Sequence, residues 1–374
     1  MKKKVIVFSA AFGAGHIRAA EAIIEEISRR DPELEIIHMD CGLFVNAKLY
    51  NLLKLTYISL IKYAPKIWGK FYHDTANILP NSAFQIFLNN LGREKILEYI
   101  TSVQPCLIIC TYPTVAGAIA QLKMEGLTKF PLAIVITDYS VHSQWVHEGS
   151  DLYIVGSEDV KKDLTGRGID PTRIQITGIP VSSNFEAEHN RIEILARLGL
   201  KPNIPTILIM SGAFGILKDI KELCVFFANI ERTVQSIVVC GKDQNLYKSI
   251  NKIVNQAKNP VVTFGYVNNV EELMSVADII ITKAGGLTVS EALSKHLPLI
   301  IYKPIPGQEE KNAMFLLKNK CALIANSLQE IREITYTILE NPRELEKMQD
   351  AAAHTLPGQS AQRAVEYMLE LSSI

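Results

Sequence analysis

Short, wholly apolar runs along this chain alternate with longer stretches in which apolar residues recur every three or four positions. The runs read as strands buried on both faces and the stretches as the amphipathic helices that cover them, the pattern of a parallel sheet wound on both sides. In the first half, strands are expected at Lys4 to Ser9, Glu35 to Met39, Cys106 to Thr111, Leu132 to Thr137, Leu152 to Gly156 and Ile174 to Thr177. A second series runs through Thr206 to Met210, Ser236 to Cys240, Val261 to Phe264, Ile279 to Thr282, Leu299 to Tyr302 and Ala322 to Ala325. Between them lies a polar stretch, Glu186 to Pro205, with a short helix at Arg191 to Leu198. Two doubly wound α/β domains facing a cleft follow, residues 1–185 and 186–357. A last helix within 358–374, set off by Leu-Pro-Gly-Gln, is expected to pack back onto the first domain.

Length agrees, since 374 residues exceed what one core usually supports. A formal net charge of zero argues against a nucleic-acid-binding protein, which needs surplus cations to neutralise phosphates. The six cysteines form no Cys-x-x-Cys pair and read as buried thiols in a reducing compartment. No apolar run approaches the ~18 residues of a membrane span. The opening MKKKVIVF stops being apolar at Phe8, so it reads as a first strand of a cytoplasmic protein and not as a secretion signal.

The segment from Ile281 to Asn312 carries the densest chemistry. Gly285 and Gly286 let the backbone approach a diphosphate, and the amides and dipole of the following helix favour its charge. Glu291, one turn into that helix, is placed to accept both hydroxyl protons of a ribose. Gln308 and Glu309 follow the next strand, where ligands are held in open parallel sheets. The bland alternative is a tight turn and a carboxylate that complements the helix dipole. A second glycine turn, Ile207 to Gly215, and Tyr266 with Val267 past a strand end add candidates for diphosphate and base.

In the first domain, Gly13 and Gly15 form a strand-to-helix turn with His16 at the helix start. Arg18 stands where a dinucleotide fingerprint needs its third glycine, which weakens a nicotinamide reading that Asp40 alone would support. A histidine at a helix N-terminus is biased towards its neutral form and can take a proton from an attacking hydroxyl; its alternative is a cap. Asp138 lies on a loop with His142, Trp145 and His147 and is a candidate for orienting an acceptor or His16. A metal site from His142, His147 and Asp138 lacks ligand spacing, and the chain holds no Asp-x-Asp pair, so no metal is expected. From Cys41 to His73 there is no acidic residue, while Lys48, Lys54, Lys62, Lys66 and Lys70 alternate with apolar residues and Trp68. Such a basic amphipathic stretch suits an anionic membrane surface, the alternative being an ordinary core-facing helix. Pro65 interrupts or kinks it.

Taken together, the Ala-x-x-Gly-x-Gly-His turn, TDYSVHSQWVHEGSDLYIVGSEDVKKDL, ITGIPV, SGAFGILKDIKELC, VVCGK, FGYV, ITKAGGLTVSEAL and YKPIPGQEEKNA resemble the diacylglycerol glycosyltransferases. That family includes processive diacylglycerol glucosyltransferases and monogalactosyldiacylglycerol synthases, in glycosyltransferase family 28. The resemblance implies a GT-B fold and metal-independent, inverting transfer of a hexose, glucose first, from a UDP-sugar to diacylglycerol or a related glycolipid. Action at the cytoplasmic face of the membrane, as a peripheral protein, goes with it. By position it implies His16 as base and Glu291 as the ribose acid, with Gln308 and Glu309 on the sugar. It implies Gly212, Gly285, Gly286 and Thr288 on the phosphates and Tyr266 and Val267 on the uracil, with Ala213, Phe214, Gly241, Leu287 and Asn312 completing the donor set. Ser182 replaces an arginine that many relatives carry near the nucleotide. Three alternatives remain open: an N-acetylglucosaminyltransferase acting on a polyprenyl lipid, a UDP-sugar epimerase, and a non-catalytic nucleotide-sugar binder.

Overall fold

A computed structural model describes residues 2–372 except 46, 80, 81, 213–216, 218 and 255. The chain divides into two compact units: Met1–Ser183 with Pro306–Lys311 and Pro357–Ile374, and Asn184–Ile305 with Asn312–Leu356.

The first unit contains β1 (Lys4–Ser9), α1 (Gly15–Arg30), β2 (Glu35–Asp40), α2 (Ala47–Tyr63), α3 (Pro65–Thr75), α4 (Ala83–Asn90) and α5 (Arg93–Val103). It continues through β3 (Leu107–Cys110), α6 (Pro113–Met124), β4 (Leu132–Val135), β5 (Leu152–Val155), α7 (Glu158–Gly166) and β6 (Ile174–Ile176). All six strands are parallel, in the order β2-β1-β3-β4-β5-β6. The apolar runs explain the burial: Val5, Ile6, Val7 and Phe8 of β1 are sealed from solvent on both faces, each worth on the order of 2 kcal/mol. Pro65 cannot continue a helix from α2 and instead starts α3, so the basic stretch becomes two helices.

The second unit contains α8 (Arg191–Arg197), β7 (Thr206–Met210), α9 (Ile220–Asn229), β8 (Gln235–Val239), α10 (Gln244–Val254), β9 (Val261–Phe264) and α11 (Val270–Val276). Then come β10 (Ile279–Thr282), α12 (Gly286–Ser294), β11 (Leu299–Tyr302), α13 (Gln308–Lys318), whose residues up to Lys311 group with the first unit, β12 (Ala322–Ala325), α14 (Leu328–Glu340) and α15 (Pro342–Thr355). Its six parallel strands run β12-β11-β10-β7-β8-β9. The last helix, α16 (Ser360–Ser372), returns to the first unit, where Ala364, Val365 and Met368 join the core of Val5, Val7, Ile23 and Ile109.

Each sheet has one place where the strand order turns back on itself, β1/β3 in the first unit and β10/β7 in the second. At such a switch point neighbouring crossovers diverge to opposite faces and leave a crevice beyond the strands' carboxyl ends, where ligands bind in this architecture.

Candidate functional site

His16 sits at the first switch point. It is the second residue of α1, whose N-cap, Ala14, offers no side-chain cap. Its Nδ1 lies 2.6 Å from the carbonyl oxygen of Thr111, just past β3, and 3.1 Å from Thr137 Oγ1, just past β4. Thr111 Oγ1 in turn donates to the His16 carbonyl at 2.9 Å. A carbonyl only accepts, so the neutral ring carries its proton on Nδ1 and keeps a lone pair on Nε2. Burial lowers the ring's pKa from 6.5 to about 4, against a smaller opposing effect of the Thr111 hydrogen bond.

His16 and Asp138 line one cavity of about 490 Å³, within the range of small-ligand sites. Its wall is mostly apolar and aromatic. Phe12 stacks on Tyr112 with centroids 5.3 Å apart and meets Tyr57 edge-on at 5.9 Å. Burial pushes the Tyr72 phenol up to about 12, with the Asp138 charge adding to it, so this phenol stays neutral. Gln308 lines the same cavity, because Pro306–Lys311 belongs to this unit; a Cβ at Gly307 would stand 2.9 Å from the Tyr72 ring. The sequence placed Gln308 and Glu309 with the donor set of the second domain, whereas they group with the unit that holds His16. A Cβ on Gly13 would meet nothing within 4 Å, so packing alone does not demand a glycine there.

The lysine stretch divides. Lys48, Lys62, Lys66 and Lys70 are exposed, and so are Leu52, Leu55, Tyr63, Ile67 and Phe71 between them; Lys54 is half-buried. Trp68, expected at a membrane face, is half-buried and lines the cavity, edge-on to Tyr57 with centroids 5.0 Å apart. The indole is more fully enclosed against an aromatic neighbour than it would be on the outer face.

In the second unit, Gly212 and Gly285 follow the two strands of the switch point, β7 and β10. Gly212 has φ +74°, and a Cβ at Gly212 or Gly285 would meet nothing within 4 Å. Gly285 is the N-cap of α12, without a side-chain cap, and Gly286, Leu287 and Thr288 form the first turn. Glu291 lies farther along α12, partly buried. Gly241, φ +64°, follows β8, and exposed Tyr266 follows β9 with Lys242 Nζ 5.2 Å from its ring centroid. Val267 is partly buried beside it. Asn312 is fully buried, and its Nδ2 donates to the Ala284 carbonyl at 2.9 Å, so it holds the glycine turn in place. Ala213 and Phe214 lie outside the described residues.

Of the other sequence candidates, Asp40 Oδ1 accepts from Gly42 N at 2.9 Å and Tyr50 Oη at 3.0 Å, a structural use. Ser182 donates to Glu25 on α1 at 2.9 Å. Among the described residues no group of three His, Cys, Asp or Glu side chains is placed to hold a metal ion, and no helix is long and apolar enough to cross a membrane. Sequence reasoning passed over Thr111, whose carbonyl fixes the His16 tautomer, Thr137 beside it, and Lys283, directly after β10. A threonine beyond a strand end is too common a pattern to signal such a role.

The family model described as monogalactosyldiacylglycerol (MGDG) synthase matches residues 16–181, and the glycosyltransferase family 28 C-terminal domain matches 206–365. A processive diacylglycerol beta-glucosyltransferase of Bacillus pumilus is 31% identical over 372 residues, covering 100% of this chain and 96% of that protein. Its counterpart in Bacillus licheniformis is 32% identical, over 92% of this chain and 89% of that one. Among solved structures, MurG of Acinetobacter baumannii superposes with a TM-score of 0.67 at 15% identity, covering 98% of this chain and 99% of that one. UDP-GlcNAc 2-epimerase of Neisseria meningitidis, solved bound to UDP-GlcNAc, gives 0.59 at 17%, over 98% and 100%. At such identities these two structures speak to the fold, GT-B, and full-length sequence kinship says the rest: the chain belongs to the diacylglycerol glycosyltransferases of glycosyltransferase family 28.

Proposed function

We propose that the chain is an inverting transferase that moves a hexose, glucose in the first instance, from a UDP-sugar to the hydroxyl of diacylglycerol or a related glycolipid. The observation that carries this reading is His16, a neutral imidazole with a free Nε2 lone pair, in one apolar cavity with Asp138 and Gln308. A lipid hydroxyl needs that combination: a wall for its chains and a base that is unprotonated at neutral pH. The acceptor oxygen attacks the anomeric carbon, its proton passes to His16 Nε2, and the bond to the diphosphate oxygen breaks with its electron pair leaving on UDP. A single displacement inverts the anomeric centre.

The second unit supports the donor half. The α12 N-terminus and the open space beside Gly212 and Gly285 suit a diphosphate. Lys283 and Lys242 stand past the ends of β10 and β8 as cations for the leaving group, Glu291 for the ribose and Tyr266 for the base. No metal is assigned, since the sequence holds no Asp-x-Asp pair and these amides and lysines meet the charge. The exposed lysines and apolar residues of α2 and α3 support work at an anionic membrane surface, on its cytoplasmic face.

Incubation with diacylglycerol vesicles and each UDP-sugar in turn tests the reading. A β-linked hexosyl lipid from an α-linked donor is expected. An α-linked product sinks the inverting mechanism; no lipid product with any donor, or epimerisation of the free UDP-sugar instead, sinks the transferase reading.

A further inference from the structure

The turn that delivers His16 has no side-chain cap of its own, since the N-cap of α1 is Ala14. A phenol from another helix restrains it instead. Tyr50, near the start of α2, places its Oη 3.2 Å from the amide nitrogen of Ala11 and 3.0 Å from Asp40 Oδ1. A backbone N–H only donates and a carboxylate oxygen accepts, so the phenol takes the Ala11 proton on a lone pair and gives its own to Asp40. Asp40, at the end of β2, is held in turn by the Gly42 amide, which donates to the same Oδ1 at 2.9 Å. Burial raises the Tyr50 pKa above its ordinary value, so the phenol keeps the proton that this arrangement needs.

The chain around the phenol is shaped to admit it. A Cβ at Gly42 would stand 2.6 Å from both Cε1 and Cζ of Tyr50, so only glycine there lets the ring reach Asp40. From Tyr50 the contacts lead on to the imidazole. Phe12 meets the Tyr50 ring edge-on with centroids 5.3 Å apart and stacks on Tyr112, which meets the His16 ring edge-on at 5.2 Å. The carbonyl just before Tyr112 is that of Thr111, the acceptor for His16 Nδ1. One continuous set of contacts therefore runs from Asp40 through Tyr50 and Phe12 to the ring and to the group that sets its tautomer.

We infer that Tyr50 is a positioning residue: held by Asp40, it fixes the Ala11–Phe12 turn so that the His16 ring keeps the orientation in which Nε2 takes the acceptor's proton. The inference rests on the reading of His16 as base. It also gives Asp40, whose place at a strand end suits a ribose acid, a different task, because Oδ1 is taken up by Gly42 and the phenol. Orientation counts steeply in such a step, a displacement of about 1 Å costing up to ~10²-fold in rate. Tyr50 lines the cavity as well, so a role confined to touching the lipid has to be told apart from positioning.

A double-mutant cycle with His16 tests this. Tyr50→Phe keeps the ring and removes both hydrogen bonds; it should lower kcat about tenfold while the Kd for UDP and the KM for diacylglycerol stay within about twofold of the parent's. Added to His16→Ala, the same change should have no further effect, since the group it positions is gone. Gly42→Ala, which pushes the ring aside without altering the phenol, should repeat both results. Tyr50→Phe that costs the same fold with and without His16→Ala would make the residue a structural one and overturn the inference. A change confined to the acceptor KM, the sign of a wall contact, overturns it too, as does the parent's kcat in either variant. Normal turnover by His16→Ala alone removes the base reading and the inference with it, whereas a large loss there with independent effects of Tyr50 leaves the base reading standing.

Discussion

His16 Nδ1 lies 2.6 Å from the carbonyl oxygen of Thr111, and this contact decides which ring nitrogen can act. With the proton held on Nδ1, Nε2 is the acceptor. His16→Ala should therefore lower kcat by about 10²- to 10⁴-fold, the usual contribution of a positioned base. UDP affinity, which the second unit provides in this reading, should be unchanged by calorimetry. Near-normal turnover by the variant would remove His16 from the chemistry.

The pH dependence follows from burial. His16 is lowered from 6.5 to about 4, so the base stays unprotonated well below neutrality. The acid limb of kcat/KM should fall towards pH 4, and a limb near 6.5 would mean a solvated ring. His142 and His147 are also lowered to about 4 by burial, giving stability the same sign. The unfolded chain binds more protons than the folded one between these values, so the contribution is complete above about 6.5 and is lost as pH falls through 4. Urea midpoints measured from pH 7.5 downward should decline across that window.

Much of this was legible in the sequence because sheet architecture is written in apolar runs, and both switch points carry glycine turns that stand out locally. The positions of His16, Gly212 and Gly285 just past the strands of those switch points follow from that pattern. Three features were not legible. Gln308 groups with the first unit through contacts of Pro306 and Gly307 with Gly69 and Tyr72, remote in sequence and silent in any local pattern. That Trp68 lines the His16 cavity was not foreseen either, since periodicity gives a helix its faces without saying which partner each face meets. The burial of Gln85 and Asn89 beneath exposed phenylalanines runs against the rule by which faces are assigned, so no hydropathy pattern would reveal it.

Gly285 separates folding from binding. Its φ of −69° suits any residue, and a Cβ there would meet nothing within 4 Å. Gly285→Ala should cost no more than about 1 kcal/mol, the loss of a preferred N-cap type. In the proposed donor site its methyl would nonetheless stand where the diphosphate is expected, and UDP should bind at least tenfold more weakly. A Kd equal to the parent's would place the diphosphate elsewhere.

Glu291 is expected to read the ribose diol, which a deoxyribose lacks. The parent chain should prefer UDP over its 2′-deoxy counterpart, and Glu291→Ala should erase that preference while leaving deoxy-UDP affinity nearly unchanged. Equal weakening of both ligands would point to a disturbed α12 instead.

Lys48, Lys62, Lys66 and Lys70 are exposed on α2 and α3 among apolar side chains that are exposed as well. Each basic residue close to an anionic surface contributes about 1 kcal/mol, so changing all four to Gln should weaken binding to phosphatidylglycerol vesicles by on the order of 10²- to 10³-fold. The parent's binding should also fall as salt rises, because the Debye length shortens to about 8 Å at physiological ionic strength, and the variant should lose most of that dependence. Transfer to a detergent-dispersed acceptor should persist, since none of the four lines the His16 cavity. A quadruple variant that binds anionic vesicles as tightly as the parent would show that α2 and α3 do not face the membrane.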